Sequence, residues 1–206
     1  IGLVIPAYNE ANTIFDVVKA ASKYGQPIVV NDCSNDDTAK LALKAGATVV
    51  NHAINLGYDN ALNSGFARAN ELGCKIVITL DADGQHNTQL IQKFIDTLEQ
   101  GADVALGVRD SKPRFSEHLF ALKTKAQFGI KDPLCGMKGY KIEVYQKLGH
   151  FDSYQSIGTE LMLFAVKSKF VYKQIPFKVN KRQDAPRFGS AFKANVKILK
   201  SMAASI

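Results

Sequence analysis

The sequence lacks the features of a membrane-spanning or disulfide-bonded protein. No stretch has the roughly 18 to 20 consecutive apolar residues that a transmembrane helix needs, and the apolar run at residues 1–5 is too short for a secretion signal. The three cysteines, Cys33, Cys74 and Cys135, are odd in number and lack the spacing of a metal site, which predicts free thiols. Free thiols are typical of a reducing compartment, so we expect a cytoplasmic protein.

Acidic residues are scarce in one part of the chain, residues 167–200. This stretch holds ten Lys or Arg and the single acid Asp184, and because the net charge of the whole chain is +7, residues 1–166 carry about −2. A uniformly basic chain would indicate a nucleic-acid partner, which we do not expect here. A basic segment near one end instead indicates an anionic substrate or an anionic membrane surface close to that end.

Apolar runs alternate with helical patterns over the first half of the chain. Short runs rich in β-branched residues lie at 2–6, 27–30, 47–50, 76–80 and 103–107, with helical patterns between them. Strands and helices that alternate at this spacing predict an α/β fold, a Rossmann-like and mostly parallel sheet with helices on both faces. With 206 residues, 46% of them hydrophobic, the chain is long enough for one large domain.

The pattern changes after Arg109. Residues 112–128 form a basic, partly amphipathic stretch, and residues 170–179 are predicted to be an antiparallel edge strand because they contain Pro176. The end of the chain predicts a helix whose apolar side holds Phe192, Val196, Leu199, Met202 and Ile206 and whose basic side holds Lys193, Lys197 and Lys200. We expect a main domain over residues 1–190 and a C-terminal amphipathic helix over 191–206, which either packs on that domain or rests on a membrane surface.

Two carboxylates follow the fourth apolar run, in the motif Asp81-Ala82-Asp83-Gly84-Gln85-His86. Ligands of open α/β sheets bind at the carboxyl ends of the strands, and the two acids point the same way if the strand geometry continues through Ala82. A hard divalent cation such as Mg2+ or Mn2+ relieves the repulsion between converging carboxylates. Alternatively the pair caps the next helix, although Asn87 lies at the better capping position.

Five short motifs occur in order along nearly the whole chain. They are Ile5-Pro6-Ala7-Tyr8-Asn9-Glu10, Asn31-Asp32-Cys33-Ser34, Asp81-Ala82-Asp83-Gly84-Gln85-His86, Gly107-Val108-Arg109 and Arg187-Phe188-Gly189-Ser190. Together they resemble the family 2 glycosyltransferases, in particular the dolichyl-phosphate mannosyltransferases and the bacterial polyprenyl-phosphate sugar transferases. The resemblance implies the glycosyltransferase A-type fold, which agrees with the predicted sheet, and it makes residues 1–190 a catalytic domain.

The resemblance also implies roles for the matching residues. Asp32 would accept a hydrogen bond from the nucleotide base, and it would not distinguish UDP from GDP because uracil and guanine both carry a ring N–H. Asp83 and Gln85 would coordinate Mg2+ or Mn2+, which neutralises the departing diphosphate, while Asp81 would hold the ribose or the sugar. The other residues that would line the nucleotide are Pro6, Tyr8, Glu10, Asn55 and Gly57. The residues that would clamp phosphate oxygens are Arg109 and Arg187.

The implied reaction is an inverting displacement that moves a sugar from a nucleoside diphosphate to an acceptor. A polyprenyl or dolichyl phosphate is already anionic near pH 7, whereas a saccharide hydroxyl, as in cell-surface polysaccharide synthesis, needs a general base. Asp132 and Glu160 are the acids expected on the acceptor side. The basic C-terminal part of the chain and the motif that begins at Asp132 favour the lipid phosphate. The enzyme would then lie peripherally on the inner face of a membrane.

Four positions depart from the family pattern. Asn31 stands where the family has an acid and Cys33 where it has a glycine, while Tyr58 and Ala191 each stand where it has a lysine. These differences leave the class intact and the sugar open. Two other functions compete: a haloacid-dehalogenase-like phosphatase, whose Asp-x-Asp-Gly-Thr signature matches until Gln85, and a nucleotide-sugar-binding module without catalysis.

Overall fold

The computed structural model describes residues 1–84, 89–112, 114–178 and 191–204. The strands in these residues are β1 (Gly2–Ala7), β2 (Gln26–Asn31), β3 (Thr48–Asn51), β4 (Ile76–Thr79), β5 (Val104–Arg109), β6 (Lys138–Lys141) and β7 (Tyr172–Phe177). The helices are α1 (Ile14–Ala21), α2 (Thr38–Lys44), α3 (Tyr58–Glu71), α4 (Gln89–Glu99), α5 (Phe115–Phe128), α6 (Ile142–Leu148), α7 (Glu160–Lys167) and α8 (Ala191–Ala204).

The strands form one sheet in the order β3-β2-β1-β4-β6-β5-β7. All neighbouring pairs are parallel except those of β6, which runs antiparallel to β4 and β5. The predicted mostly parallel α/β sheet is therefore confirmed. The prediction for residues 170–179 is correct in position but wrong in direction, because β7 pairs in parallel with β5, with Tyr172 opposite Val104. After β6, the helices α6 and α7 carry the chain back before it enters β7.

Apolar side chains fill both faces of the sheet. On one face, Leu3 and Ile5 of β1 pack with apolar residues of α1, α2 and α4, and on the other face Val4 packs with those of α3, α6 and α7. Successive strand residues point to opposite faces, so a single strand contributes to both cores. The prediction of helices on both faces is confirmed.

Helix α3 approaches the sheet closely at Gly65. A Cβ atom there would lie 2.3 Å from Val4 Cγ1, so only glycine permits this separation. Ala61 and Ala69 extend the strip of small residues at intervals of four along the same helix. This packing fixes α3, and with it Tyr58 in its first turn, against β1.

The last helix, α8, packs on α5. Ile198 is buried with Phe120 of α5 and with Ile157, and Ser201 Oγ donates a hydrogen bond of 2.7 Å to Ser156 O. The buried side matches the predicted apolar side only in part, because Met202 packs against this cluster whereas Leu199 is 40% exposed. Among the described residues, none of the helices has the length and apolar character needed to cross a bilayer. The division of the chain at residue 190 stays a prediction.

Candidate active site

The loops that follow β1, β2 and β4 meet at the carboxyl edge of the sheet. Glu10 N in the first loop donates a hydrogen bond of 2.8 Å to Thr38 Oγ1, which follows β2. Thr13 Oγ1 in the same loop donates a hydrogen bond of 2.7 Å to Ala82 O, which follows β4. Three residues expected to line the nucleotide lie on β1 and this first loop, Pro6, Tyr8 and Glu10.

The carboxylate of Asp32 is the centre of a buried hydrogen-bond network. Leu56 N donates to Oδ1 and Gly57 N donates to Oδ2, each at 2.8 Å, and His52 Nδ1 lies 2.7 Å from Oδ1. Asn55 Nδ2 donates to the main-chain carbonyl of Asp32 at 3.2 Å. The structure therefore brings together Asp32, Asn55 and Gly57, which are expected to bind the nucleotide but lie on separate loops.

His52 is a site residue that sequence reasoning misses. Its Nε2 atom lies 2.9 Å from Ser64 Oγ on α3, so the ring bridges Asp32 and that helix. No motif marks this histidine, but its position offers a signal. It directly follows β3, the parallel neighbour of β2, and parallel strands end at the same edge of a sheet.

The turn after β2 contains Cys33 in a left-handed conformation, with φ of 62°. This region of φ favours glycine, because a Cβ atom crowds the following carbonyl oxygen. The conformation explains why the resembled family has glycine at this position. Cys33 therefore keeps this turn, but its left-handed conformation costs free energy that a glycine would not incur.

The carboxylate of Asp81 lies against the backbone of Gly136. A Cβ atom on Gly136 would lie 2.5 and 2.6 Å from the two carboxylate oxygens, and Thr79 Oγ1 holds this backbone by donating a 2.6 Å hydrogen bond to Gly136 O. Strand β4 ends at Thr79 and residues 82–83 form a turn, so strand alternation does not extend to Asp83. Asp81 and Asp83 instead share one tight turn beside the first loop.

Tyr58 opens α3 at the position where the resembled family has lysine. Burial, and then the nearby charges of Asp81 and Asp59, raise the pKa of its phenol well above the ordinary value. The phenol is therefore neutral at physiological pH. At this point the site presents an aromatic ring beside Asp81 in place of a cation.

Arg109, at the end of β5, is held by a bidentate ion pair with Asp132. Its Nε and Nη2 atoms donate to Asp132 Oδ2 and Oδ1 at 2.8 and 2.9 Å, and its main-chain N donates to Oδ2 at 3.1 Å. Nη2 also donates to Glu117 Oε2 at 2.9 Å, and the other Glu117 oxygen accepts a hydrogen bond from Arg114. Burial lowers the pKa of Arg109, but the hydrogen bond and charge of Asp132 outweigh it and raise the pKa above the ordinary value. The guanidinium is thus a fixed, permanent cation.

The carboxylate of Glu160 is turned back toward the loop that precedes α7. Ser153 donates to it through both its main-chain N–H and its hydroxyl, and His150 Nε2 lies 2.9 Å from Oε1. Asp132 and Glu160, the two acids expected on the acceptor side, therefore have hydrogen-bond partners on every carboxylate oxygen.

Lys138, the first residue of β6, is a buried cation that sequence reasoning does not single out. Its Nζ atom donates a hydrogen bond of 2.7 Å to Gly158 O. Burial lowers the pKa of Lys138 to about 8, opposed by the nearby groups Cys135 and Asp132. Burial also raises the pKa of the Cys135 thiol to about 12, and all three cysteines are free, as predicted.

Two predicted site residues, Gln85 and Arg187, lie outside the described residues. In the described part of the chain, no three His, Cys, Asp or Glu side chains come together as a metal site. Asp81 and Asp83 nevertheless offer hard carboxylate oxygens on one turn, which is the ligand type that Mg2+ and Mn2+ prefer. These two acids fit a divalent cation whose remaining ligands come from elsewhere.

Comparison with known proteins decides the family. The sequence model of the family described as glycosyl transferase family 2 matches residues 3–165, which run from β1 into α7. The chain belongs to glycosyl transferase family 2. The resemblance drawn from the five motifs is confirmed, and the chain is a glycosyltransferase rather than a phosphatase of the haloacid dehalogenase type.

Relatives of this glycosyltransferase include proteins that act on lipid phosphates. The chain is 25% identical over 211 residues to the UDP-N-acetylglucosamine–dolichyl-phosphate N-acetylglucosaminyltransferase of Methanococcus voltae, a match that covers 85% of this chain and 84% of that protein. It is 32% identical over 169 residues to the undecaprenyl-phosphate 4-deoxy-4-formamido-L-arabinose transferase of Photorhabdus laumondii, covering 72% of this chain and 51% of that protein. An uncharacterised protein of Methanocaldococcus jannaschii is 30% identical over 194 residues, 85% of this chain and 79% of its own length.

Solved structures confirm the glycosyltransferase A-type fold. Glucosyl-3-phosphoglycerate synthase from Mycobacterium tuberculosis, in complex with Mn2+, UDP and phosphoglyceric acid, superposes with a TM-score of 0.76 at 20% identity, covering 98% of this chain and 78% of that one. The same enzyme with Mg2+ and UDP gives a TM-score of 0.75 at 19% identity, covering 98% and 79% of the two chains. At these identities the likeness concerns the fold alone.

Proposed function

We propose that this glycosyltransferase transfers a sugar, with inversion, from a UDP- or GDP-linked donor to a polyprenyl phosphate, and that it requires Mg2+ or Mn2+. The observation that carries the proposal is the state of Arg109, a permanent cation that Asp132 and Glu117 hold in one orientation. The N–H groups of Arg109 that these two carboxylates leave unused would bind a phosphate that is already anionic, and a guanidinium contributes nothing to the deprotonation of a hydroxyl.

The donor would bind where the loops after β1, β2 and β4 meet. Asp32 would accept the ring N–H of the base, with Asn55 and Gly57 beside it, and Asp81 would accept hydroxyl groups of the ribose or the sugar. The Mg2+ or Mn2+ ion, held by Asp83 and Gln85, would neutralise charge on the departing diphosphate. Arg187 would clamp phosphate oxygens of the donor with its guanidinium.

The acceptor would lie beside Arg109. This residue lines an open groove between the ends of β5 and β7, together with Val108, Asp110, Pro176, Phe177 and Lys178. The groove therefore combines two basic side chains and one acidic side chain with apolar walls, and its basic excess suits a phosphate attached to a hydrocarbon chain. Because Asp132 and Glu160 are engaged with other groups, their geometry supports an acceptor that needs no general base.

A membrane contact would explain how such an acceptor arrives. Helix α5 begins six residues after Arg109 and exposes Phe115, Leu119 and Leu122 at helical spacing, with exposed fractions of 74%, 37% and 66%. Leu199 on the adjoining α8 is also exposed, and Lys125 and Lys200 lie on the same two helices. An apolar strip accompanied by lysines is typical of helices that bind anionic membrane surfaces, so we place the enzyme peripherally on the inner, cytoplasmic face of a membrane.

A transfer assay tests the proposed reaction. A panel of UDP- and GDP-linked sugars is incubated with the enzyme, Mn2+ and either a short polyprenyl phosphate or an oligosaccharide, and the anomeric configuration of the product is read by NMR. We expect an inverted glycosyl phosphate on the lipid. Asp83→Ala should abolish metal-dependent binding of the nucleotide, while Asp96→Ala on the exposed side of α4 serves as the matched control. Transfer to the oligosaccharide alone would contradict the proposed acceptor.

Vesicle co-sedimentation tests the membrane contact separately. We expect the enzyme to pellet with anionic vesicles at low salt and to be released at high salt. The double variant Phe115→Glu/Leu122→Glu should abolish pelleting, whereas Leu43→Glu, at a leucine of α2 that is 57% exposed, should not. Equal pelleting of both variants would refute the assignment of this surface.

A further inference from the structure

The acceptor capacity of Asp32 is nearly used up by the protein itself. An ionised carboxylate offers about four lone-pair positions, two on each oxygen. Oδ1 is bonded to both His52 Nδ1 and Leu56 N, and Oδ2 is bonded to Gly57 N. One position on Oδ2 therefore remains for a donor group of a ligand.

The proton positions on His52 follow from this arrangement. A carboxylate in its charged form only accepts hydrogen bonds, so His52 Nδ1 must carry a hydrogen and donate it to Asp32. The ring cannot turn away from Asp32 easily, because its other nitrogen lies 2.9 Å from Ser64 Oγ. The side chains of His52 and Asp32 are each only 7% exposed, which keeps water from replacing either contact.

His52 therefore determines which oxygen of Asp32 is free. Without the ring, Oδ2 keeps the amide of Gly57, the N-cap of α3, but Oδ1 keeps only the amide of Leu56, an exposed residue. His52 links Oδ1 to α3 as well, because its Nε2 atom lies 2.9 Å from Ser64 Oγ. Loss of the ring therefore loosens the Oδ1 side of the carboxylate, and the direction of Oδ2 is less strictly held.

We propose that His52, anchored by Ser64, is a positioning residue that directs Oδ2 of Asp32 toward the ring N–H of the donor nucleobase and so makes nucleotide affinity depend on that N–H, which uracil and guanine share. The proposal rests on the proposed function, in which a nucleoside diphosphate binds at Asp32. It adds a positioning role for two residues, His52 and Ser64, that neither motif nor resemblance assigns.

Calorimetric titration in the presence of Mn2+ tests the proposal with UDP, GDP and their ring-N-methylated analogues, which lack the N–H. Wild-type enzyme should bind UDP or GDP at least about tenfold more tightly than the methylated analogue, as expected for one hydrogen bond to a charged group. His52→Ala should weaken the parent nucleotide about tenfold and the methylated analogue less than twofold. His52→Asn, whose amide nitrogen can occupy the place of Nδ1, should recover most of the preference for the parent nucleotide over its methylated analogue.

Controls separate this role from a merely structural one. His118→Ala, at an exposed histidine of α5, should leave all four affinities unchanged. If His52→Ala does not fold, Ser64→Ala replaces it. This variant should also lower the preference for the parent nucleotide over its methylated analogue, by a smaller factor. If His52→Ala loses the same factor in affinity for the parent and the methylated nucleotides, the proposal is overturned. Failure of the wild type to bind either UDP or GDP would instead refute the proposed donor class, and this proposal with it.

Discussion

Replacing Asp132 with Asn tests whether this acid anchors Arg109 or acts as a base. The substitution keeps the size of the side chain and removes the charge that pairs with Nε and Nη2 of Arg109 at 2.8 and 2.9 Å. Removing one partner of a buried ion pair costs about 3–5 kcal/mol. Because Arg109 is 18% exposed and keeps its contact with Glu117, we expect a loss just below that range, about 2–3 kcal/mol.

Denaturant unfolding measures this loss, and a matched pair provides the control. Arg68 and Glu71 form an ion pair on the surface, where their side chains are 40% and 60% exposed, so Glu71→Gln should cost less than about 0.5 kcal/mol. The double variant Arg109→Met/Asp132→Leu should be more stable than Asp132→Asn, because it leaves no unpaired charge in the interior.

Kinetics then distinguish the two roles of Asp132. A general base contributes roughly 10²- to 10⁴-fold to the rate, and its loss removes a limb of the pH–rate profile. An anchor of Arg109 instead affects acceptor binding, so Asp132→Asn should raise the KM for the acceptor and leave the shape of the pH profile unchanged. A variant of wild-type stability whose kcat falls more than a hundredfold would refute the anchoring role.

Three further predictions concern stability and are measured by denaturant unfolding. Cys33→Gly should stabilise the protein by about 0.5–1 kcal/mol. Glycine adopts the left-handed conformation of this residue without strain, and this gain exceeds the entropy that glycine adds to the unfolded chain. Tyr140→Phe should stabilise it by about 1 kcal/mol, since the buried Tyr140 hydroxyl has no hydrogen-bond partner in the described part of the chain. Lys138 has its pKa lowered to about 8, so below pH 8 the folded state carries the full cost of a buried charge. That cost is relieved as the pH rises toward the ordinary value of 10.5. At pH 7 the variant Lys138→Met should therefore be more stable than wild type. Its advantage should shrink by about 3 kcal/mol between pH 7 and 10.5, and a constant difference would contradict the burial of this charge.

The sheet could be predicted wherever a strand is an apolar run, and not elsewhere. Strands β1, β2, β4 and β5 are buried on both faces and are rich in Val, Ile and Leu, which makes them readable from sequence. Strand β6 has the sequence Lys-Gly-Tyr-Lys and forms because β4 and β5 both pair with it. Its existence depends on tertiary contacts, as strand propensity often does. The direction of β7 could not be predicted without knowing that β6 reverses the chain.

The candidate site, like the sheet, has some features that the sequence predicts and others that only the fold reveals. Asp32 and Asp81 were predictable because carboxylates at the ends of parallel strands meet at one edge. The partnership of Arg109 with Asp132 joins residues 23 positions apart across a helix, and no local pattern indicates it. His52 has no neighbouring motif, so only the strand order, which sets β3 beside β2, brings it to Asp32. The residues proposed to bind ligands can be read from motifs, whereas the contacts that hold them in place depend on the fold.

One loop, residues 132–138, connects the two halves of the site. Asp132 at its start holds Arg109, Gly136 forms the backbone surface beneath Asp81, and Lys138 at its end is bonded to Gly158. The loop is fixed between these contacts by Thr79, which bonds to both Gly136 O and Lys138 N. Asp81, proposed to bind the donor, and Arg109, proposed to bind the acceptor, are thus supported by residues only four positions apart. Their relative placement is therefore a property of this loop, and the proposed donor and acceptor groups come from opposite sides of the antiparallel strand β6.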